Sequence, residues 1–374
     1  MYKFIILRPT HKANTFIYGR DSLSILTNFF KKNKIFNFDP KKKIIYINFK
    51  ILIDIIFNLS LDINSIKTSY LRSLIRFLES DLVVTLIDND PNFWRLSLLM
   101  HNELRIISFQ NGARYDLYSN PNKKEYFQSE YVCFGDHDKK VIQSINGKVK
   151  KYIPKGSIRE VYYRSISKQY EDFKNHNSPK IYDICLIADN YAGWDKIYPG
   201  IEENGLLVAK YALKYAKHNN LSIAFAFKYK KNQKSAGDIS ELDFYRSRID
   251  LEYRNLFFSY NDFQWTSRDI ICKSNVTIGL SSTLLLESAS RGNKVLICDY
   301  YNEKFSLGAK SPLALNDKER KYSLFSEKLD ELLKISDQEY IYTRGNEVKR
   351  MINIKDGETI SEFIQSVLES KLDE

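Results

Sequence analysis

The sequence predicts an α/β protein of two domains, each a parallel β-sheet with helices on both faces. Short β-branched runs alternate with amphipathic helical stretches along the whole chain, which is typical of parallel strands joined by crossover helices. A polar stretch at 164–180 interrupts the alternation, and the pattern restarts at Tyr182. The length of 374 residues suits two ordinary domains. The expected parts are a first domain at 1–165, a linker at 166–180, a second domain at 181–355 and a final helix at 356–374.

Apolar clusters and three- or four-residue spacing predict the elements of the first half. The expected strands lie at 3–7, 43–49, 82–87, 105–109, 131–134 and 151–153, and the strand at 3–7 is expected to be buried. The expected helices lie at 21–33 and 65–79 and through Trp94 and Leu99, with another apolar helix after the second strand.

The second half continues the pattern. Its expected strands lie at 182–188, 222–227, 263–266, 276–278 and 295–297. Its expected helices lie at 201–217, around 241–257, and at 267–274, 323–335 and 357–371.

The composition is that of a folded, basic protein. Hydrophobic residues make up 43% of the chain, which is enough for real cores, and the formal net charge is +11. We attribute part of this charge to codon bias. The chain makes heavy use of Lys, Ile, Asn, Tyr and Phe, which is what an AT-rich genome imposes. The remainder suits phosphorylated donors or an anionic membrane surface. Nucleic acid is not expected as a partner, because no single helix or tail gathers the basic residues.

The cysteines predict a cytoplasmic protein. Cys133, Cys185, Cys272 and Cys298 each sit in or beside an apolar run, and none forms a CxxC pair. They therefore read as reduced core residues rather than disulfides or a zinc site.

No segment predicts export or membrane insertion. Only four consecutive apolar residues precede Arg8 and Pro9, too few for a signal peptide. No uninterrupted apolar stretch approaches the length of a transmembrane helix. We expect a cytoplasmic protein that meets the inner face of the membrane at most peripherally.

The most informative stretch is a strand, turn and helix at 276–290. Val276 to Ile278 is a β-branched run that Gly279 breaks, and Ser281, Ser282 and Thr283 then offer hydroxyls where a helix should begin. Such a turn presents backbone N–H groups and the positive end of a helix dipole. It is an anion site for which phosphate is the common guest. An ordinary N-cap is the alternative.

Glu287 follows about one and a half turns into this helix, where its carboxylate could accept hydrogen bonds from ribose hydroxyls, and Gly292 can end the helix. Ser-Ser-Thr-x-x-x-Glu-x-x-x-x-Gly before a buried strand resembles the donor-nucleotide element of GT-B glycosyltransferases. The resemblance implies that Ser282 and Thr283 lie near the donor diphosphate and that Glu287 holds the ribose.

This resemblance implies two Rossmann-like domains facing across a cleft, with the C-terminal helix crossing back onto the first domain. It points to bacterial enzymes of surface polysaccharide or lipopolysaccharide biosynthesis. They would use a UDP-, GDP- or CMP-linked sugar and a glycan or lipid-linked acceptor. The pair of glutamates eight residues apart that marks retaining enzymes is absent, because position 279 is Gly. An inverting enzyme is therefore favoured.

Ligands of parallel sheets bind beyond the carboxyl ends of the strands, so these loops supply the remaining candidates. Gln110-Asn111-Gly112 resembles the Gln-His-Gly segment of bacterial GT-B polymer transferases, and we expect Gln110, Asn111 and Arg114 to contact the acceptor. Asn111 replaces the histidine of that segment, so the general-base role does not pass to it. An inverting transferase still needs a base, for which Asp116 is the first candidate, followed by Asp90 and His137.

Lys155-Gly-Ser-Ile-Arg159 resembles the Gly-Ser-x-Arg segment of nucleotide-sugar and polyol-phosphate transferases. Ser157 and Arg159 would then touch donor phosphate or acceptor, unless the segment is an ordinary interdomain turn. Lys228 follows a buried strand and could neutralise the leaving diphosphate, so no metal or other cofactor is expected. Asp88-Asn-Asp90 and Asp136-His-Asp138 match the letters of a metal motif, but this pattern is common by chance.

Three other functions fit the same resemblance. A CDP-polyol phosphotransferase shares the Gly-Ser segment but not its usual histidines. A nucleotide-sugar 2-epimerase would act without an acceptor. A catalytically degenerate GT-B module would serve as an assembly partner. Walker A, G-x-G-x-x-G and G-x-S-x-G motifs are all absent from the sequence.

Overall fold

The computed structural model describes most of the chain. The described residues are 3–8, 10–20, 24–58, 63–113, 122–168, 171, 172, 179–189, 191–196, 199–234, 238–262, 265–298, 300, 313–315, 318–353 and 358–369. They group into two compact units. The first unit holds the described residues of 3–112, 122–162 and 358–369, and the second holds residue 113 and the described residues of 163–353.

A six-stranded parallel sheet forms the centre of the first unit, in the strand order β3-β2-β5-β6-β7-β8. The strands are β2 (Thr15–Tyr18), β3 (Ile35–Phe38), β5 (Leu82–Thr85), β6 (Arg105–Phe109), β7 (Phe127–Cys133) and β8 (Lys148–Pro154). β2 and β5 are buried along their whole length. Both therefore behave as inner strands of a sheet that is covered on its two faces.

A separate two-stranded parallel sheet joins β1 (Lys3–Ile6) to β4 (Ile44–Ile47). The helices that begin in this unit are α1 (Ile25–Phe29), α2 (Phe49–Asn58), α3 (Ile63–Phe77), α4 (Pro91–Met100), α5 (Asp136–Ser144), α6 (Ile158–Ile166) and α13 (Glu358–Glu369). One core cluster packs α2, α3 and α4 against the sheet, with Ile51, Leu74 and Leu96 among its members.

The second unit repeats this design, with the parallel order β11-β10-β9-β12-β13-β14. Its strands are β9 (Tyr182–Ala188), β10 (Ile223–Phe227), β11 (Leu256–Ser259), β12 (Ser274–Gly279), β13 (Lys294–Cys298) and β14 (Ala314–Leu315). Its helices are α7 (Ile201–His218), α8 (Glu241–Arg246), α9 (Thr266–Cys272), α10 (Thr283–Ser290), α11 (Tyr322–Lys334) and α12 (Asp337–Met351).

The predicted class, two α/β units with parallel sheets, is confirmed. The last helix also behaves as expected, because α13 belongs to the first unit and its Phe363 ring lies 5.9 Å from the guanidinium of Arg105. All four cysteines are buried free thiols. In the part of the chain that the structure describes, no helix is long and apolar enough to cross a membrane.

Several element predictions were wrong. The strand at 3–7 is not buried, since three of the four residues of β1 are exposed. The helix expected around 241–257 ends at Arg246, and its later residues lead into β11. The strand expected at 263–266 is not formed at its described end, where Thr266 begins α9. The sequence pattern also missed β2, β3 and α12.

Candidate functional site

The turn between β12 and α10 has the strand, turn and helix geometry that the sequence predicts. Gly279 ends the strand, and a Cβ there would lie 3.3 Å from Leu285 Cδ1 and 3.4 Å from Ile187 Cβ. Ser282 is the N-cap, and its hydroxyl accepts a hydrogen bond from Leu284 N at 3.4 Å. The close packing at glycine and the cap together bring the first turn of α10 beside the carboxyl end of the strand.

The three hydroxyls of this turn have different surroundings. Thr283 Oγ1 accepts a hydrogen bond from the backbone N–H of Ala113 at 3.0 Å. The Ser282 hydroxyl accepts the N-cap hydrogen bond from Leu284 N. Ser281 is half-buried, and within the described residues its hydroxyl makes no hydrogen bond. Ser281 is therefore the hydroxyl best placed to receive a ligand at the positive end of the helix dipole.

Glu287 is buried and forms an ion pair with Arg268 of α9. The guanidinium of Arg268 also lies 4.7 Å from the centre of the Trp265 ring, a cation–π distance. Trp265 itself holds a left-handed backbone, with φ of +77°. Sequence analysis missed Arg268, because nothing in its local pattern marks it as the partner of a glutamate 19 residues away.

A second polar cluster lies at the carboxyl ends of β9 and β10 in the same unit. It contains Asp189, Lys228, Glu241 and Tyr245, and the Tyr245 hydroxyl donates to the carbonyl of Asp189 at 3.0 Å. Burial raises the pKa of Asp189, and burial together with the nearby Asp189 charge raises the pKa of Glu241 to about 8. Lys228 opposes both pKa shifts.

This cluster gives the predicted anion-binding residue Lys228 acidic neighbours. Lys228 is exposed, while Glu241 is 3% exposed and accepts a hydrogen bond from Tyr229 N at 2.9 Å. The pKa of Glu241 is raised to about 8, so this side chain opposes the positive charge of Lys228 less than an ordinary glutamate would. Glu241 and Tyr245 were missed because both fall in a stretch that reads only as a helix.

In the first unit, Asp88 is the buried centre of a strand-end network. One carboxylate oxygen accepts from Asn111 N at 3.1 Å and the other from the Tyr131 hydroxyl at 3.0 Å. Its carbonyl accepts from Trp94 Nε1 at 2.7 Å. Asp88 therefore holds the loops that follow β5 and β6 in one arrangement, a role that the letters Asp-Asn-Asp do not reveal.

Gln110 is a buried connector at the end of β6. Its Oε1 accepts from Phe134 N at 2.8 Å, and its Nε2 donates to Asp138 Oδ1 at 2.7 Å and to the Gly112 carbonyl at 2.9 Å. The amide is thus used on both sides, and Gln110 shapes the loop rather than offering a free group to an acceptor.

Two segments that the sequence analysis treated separately lie side by side in the first unit. Arg159 Nε donates to Asn111 Oδ1 at 2.8 Å, which places the Gly-Ser-x-Arg segment beside the end of β6. Gly156 has φ of +88°, a conformation that favours glycine. Ser157 is buried, and its hydroxyl accepts from Glu160 N at 3.3 Å, so it starts α6.

The three candidate bases are Asp90, His137 and Asp116, and the structure describes the surroundings of the first two. Asp90 is the N-cap of α4, with one oxygen accepting from Asn92 N at 2.9 Å and the other from the Tyr18 hydroxyl at 2.7 Å. Burial, with Asp90 nearby, raises the pKa of Tyr18. His137 is half-buried in the first turn of α5. Asp116, like the acceptor candidate Arg114, lies outside the described residues.

Among the described residues, no group of three or more His, Cys, Asp or Glu side chains is arranged to hold a metal ion.

No protein-family model and no curated protein matches the chain. Solved structures do match over almost its whole length. UDP-GlcNAc 2-epimerase from Neisseria meningitidis, bound to UDP-GlcNAc, is 14% identical with a TM-score of 0.52, over 96% of this chain and 99% of that one. A UDP-forming α,α-trehalose-phosphate synthase from Burkholderia xenovorans is 11% identical with a TM-score of 0.53, over 100% and 99%.

The wall teichoic acid polymerase TagF, in a structure soaked with CDPG, is 13% identical with a TM-score of 0.51, over 98% of this chain and 91% of that one. These structural neighbours are GT-B enzymes. The parallel sheets of the two units match theirs. The chain therefore has the GT-B fold.

Proposed function

We propose that the protein is a glycosyltransferase that moves a sugar from a nucleotide-sugar donor to a surface-glycan acceptor, with inversion and without a metal ion. The observation that carries the proposal is the β12–α10 turn. It combines a helix N-terminus, the half-buried hydroxyl of Ser281 and, further along the helix, the buried pair of Glu287 and Arg268. The structural neighbours, one bound to UDP-GlcNAc and one soaked with CDPG, support a nucleotide-linked substrate.

On the donor side, the diphosphate would bind at Ser281, Ser282 and Thr283, where backbone N–H groups and the helix dipole stabilise negative charge. Glu287 would accept from the ribose hydroxyls while Arg268 keeps its carboxylate in place. Lys228 would compensate the charge that develops on the leaving diphosphate. Such fixed positive groups do the work that a metal does in other transferases.

On the acceptor side, an inverting transfer needs one base to take the proton of the attacking hydroxyl. We propose Asp116 for this role, with His137 as the alternative. Asp90 is the weaker candidate, since both of its oxygens already accept hydrogen bonds. Asn111 and Arg159 would orient the acceptor through their shared hydrogen bond, and Gln110 would hold their loop. The acceptor is a lipid-linked or polymeric glycan at the cytoplasmic face of an anionic membrane.

The donor site is tested by a thermal-shift panel of UDP, GDP, CMP, CDP and ADP. A nucleotide at about 100 times its Kd should stabilise the native state by roughly 2.7 kcal/mol. Ser281→Ala and Glu287→Gln should reduce the shift produced by that nucleotide. Glu347→Gln is the matched control, because Glu347 also pairs with an arginine of the second unit, on α12. If no nucleotide stabilises the wild-type protein, a catalytically degenerate module replaces the transferase.

A nucleotide-sugar 2-epimerase is the second candidate, favoured by the likeness to the UDP-GlcNAc-bound enzyme. The two functions can be distinguished by whether turnover of the donor requires an acceptor. An epimerase changes the configuration of the sugar when UDP-GlcNAc is the only substrate, whereas a transferase consumes donor at a useful rate only when an acceptor is added. A CDP-polyol phosphotransferase would instead transfer the polyol phosphate and release CMP, so it should respond to the cytidine nucleotides of the panel, CMP and CDP.

A further inference from the structure

Helix α2 of the first unit is apolar on two opposite sides. Its inner side packs into the core, where Ile51 is 1% exposed. Its outer side is uncovered, with Phe49 74%, Ile56 72% and Phe57 84% exposed. Leu52 and Ile53 lie between them and are also exposed. A surface helix normally places polar residues on this side, so the outer side of α2 requires another explanation.

These five residues form one continuous stripe. At about 100° per residue, positions 52, 56, 49, 53 and 57 follow one another around the helix over an arc of about 140°. Their exposed area is on the order of 600 Å², at roughly 200 Å² for each full side chain. That matches the largest patches found on monomeric proteins, which commonly mark interaction sites.

Strand β1 adds to the same end of the unit. Phe4 and Ile6 are 59% and 81% exposed. The strand is tied to the start of α2, because Asn48 Nδ2 donates to the Leu7 carbonyl at 2.8 Å and Asn48 Oδ1 accepts from Lys50 N at 2.9 Å. We refer to the outer stripe of α2 together with Phe4 and Ile6 as the α2 face.

The segment that carries the α2 face is strongly positive. The first 50 residues contain eleven Lys or Arg and two Asp, which accounts for nine of the eleven net positive charges of the chain. Arg8 directly follows the tied end of β1, and Lys50 lies at the edge of the stripe, both exposed. The one acid of α2, Asp54, points inward and accepts a hydrogen bond from Ser73 at 2.6 Å.

We propose that the α2 face docks the protein onto an anionic lipid bilayer, with α2 lying in the plane of the interface. Large apolar side chains beside cations are the features of an interfacial helix, which buries its apolar side about 5–10 Å deep. The ten-residue helix is far too short to span the membrane. A symmetric dimer through this face would bring like cations together, which disfavours a second copy as the occupant. The inference deepens the proposed function, since it names how the enzyme meets a membrane-borne acceptor.

The test is co-sedimentation of the full chain with vesicles, in the absence of any donor. Phosphatidylglycerol-containing vesicles and pure phosphatidylcholine vesicles are compared at low and high salt. The wild-type protein should bind the anionic vesicles and lose that binding at high salt. The double variant Ile56→Ser, Phe57→Ser should reduce partitioning at least tenfold, and Arg8→Glu, Lys50→Glu should do so by about tenfold or more.

Tyr342→Ser is the matched control, because Tyr342 is a large side chain 89% exposed on α12 of the second unit. It should leave vesicle binding unchanged. Equal binding to neutral vesicles, or no loss in either double variant, would overturn the proposal. A dimer detected by light scattering that Ile56→Ser, Phe57→Ser dissociates, without vesicle binding, would assign the face to a second copy. The nucleotide shift should survive in both double variants, so failure here is separable from failure of the donor site.

Discussion

Glu241 should make the stability of the protein depend on pH in an unusual direction. The side chain is 3% exposed, one carboxylate oxygen accepts from Tyr229 N, and within the described residues the other has no hydrogen-bond partner. Burial raises its pKa from 4.5 to about 8. The folded state therefore holds this proton more tightly than the unfolded state does. The stability that the protonated Glu241 contributes is fully present below about pH 4.5 and is lost as the pH rises through about 8.

The size of this change in stability follows from the pKa shift of Glu241. At about 1.4 kcal/mol per pKa unit, the free energy of unfolding should fall by roughly 4–5 kcal/mol between those two pH values on account of this group. Glu241→Gln keeps an acceptor for Tyr229 but carries no proton equilibrium. The variant should therefore be more stable than the wild type at the alkaline end of the window and should lose most of the slope.

The measurement is urea unfolding, followed by circular dichroism, at several pH values across the window. The quantity to examine is the difference in free energy between wild type and variant, because groups remote from Glu241 titrate equally in both. Glu327→Gln, at an exposed glutamate of the second unit, is the control and should leave the slope unchanged. A difference between wild type and Glu241→Gln that does not vary with pH would refute the reasoning.

Three further substitutions separate structural from functional roles. Arg268→Ala should cost about 3–5 kcal/mol in urea unfolding, because it removes the cation that is paired with the buried Glu287 carboxylate, whereas Arg344→Ala, at an ion pair with Glu331 on the surface, should cost under about 1 kcal/mol. Asp90→Ala should lower stability by about 1–3 kcal/mol through the lost cap and the orphaned Tyr18 hydroxyl, and a protein with normal stability but no transfer activity would return Asp90 to the list of bases. Gln110→Leu should destabilise by about 2 kcal/mol or more, since Phe134 N loses its acceptor and Asp138 Oδ1 loses the Gln110 donor, and an unchanged melting temperature would contradict its role as a connector.

The fold was predictable from sequence where strands are long or end in a recognisable turn. The segments at 105–109 and 182–188 were predicted to the residue, because each is a compact apolar run next to polar residues. β2 was missed although it is fully buried, since four residues between polar neighbours give too little pattern. β1 was placed correctly but taken as buried, and its exposure depends on tertiary packing that no local pattern encodes.

The candidate site was predictable only in its local geometry. The turn with Ser282 as cap could be derived, because capping and strand ends are properties of neighbouring residues. The partners of Glu287, Asn111 and Gln110 come from other elements of their units, so a single sequence could not name them. Glu241 was missed for a related reason. The sequence predicted one amphipathic helix around 241–257, and such a helix gives no reason to expect a buried glutamate in its first turn.

A motif search finds residues that build a loop as readily as residues that act from it, and hydrogen-bond occupancy distinguishes the two. Gln110 uses both sides of its amide, and Asp88 and Asp90 use both carboxylate oxygens, so each of them already has its full set of protein partners. A ligand that displaced those partners would cost about 1–3 kcal/mol for each buried group left unpaired. Phosphate bound at the proposed site would not displace a hydrogen bond between the Ser281 hydroxyl and another described residue, because that hydroxyl makes none. The turn between β12 and α10 therefore combines a frame set by Gly279 and Ser282 with a hydroxyl that makes no hydrogen bond to the described part of the chain. This division of roles suits the nucleotide site that we propose.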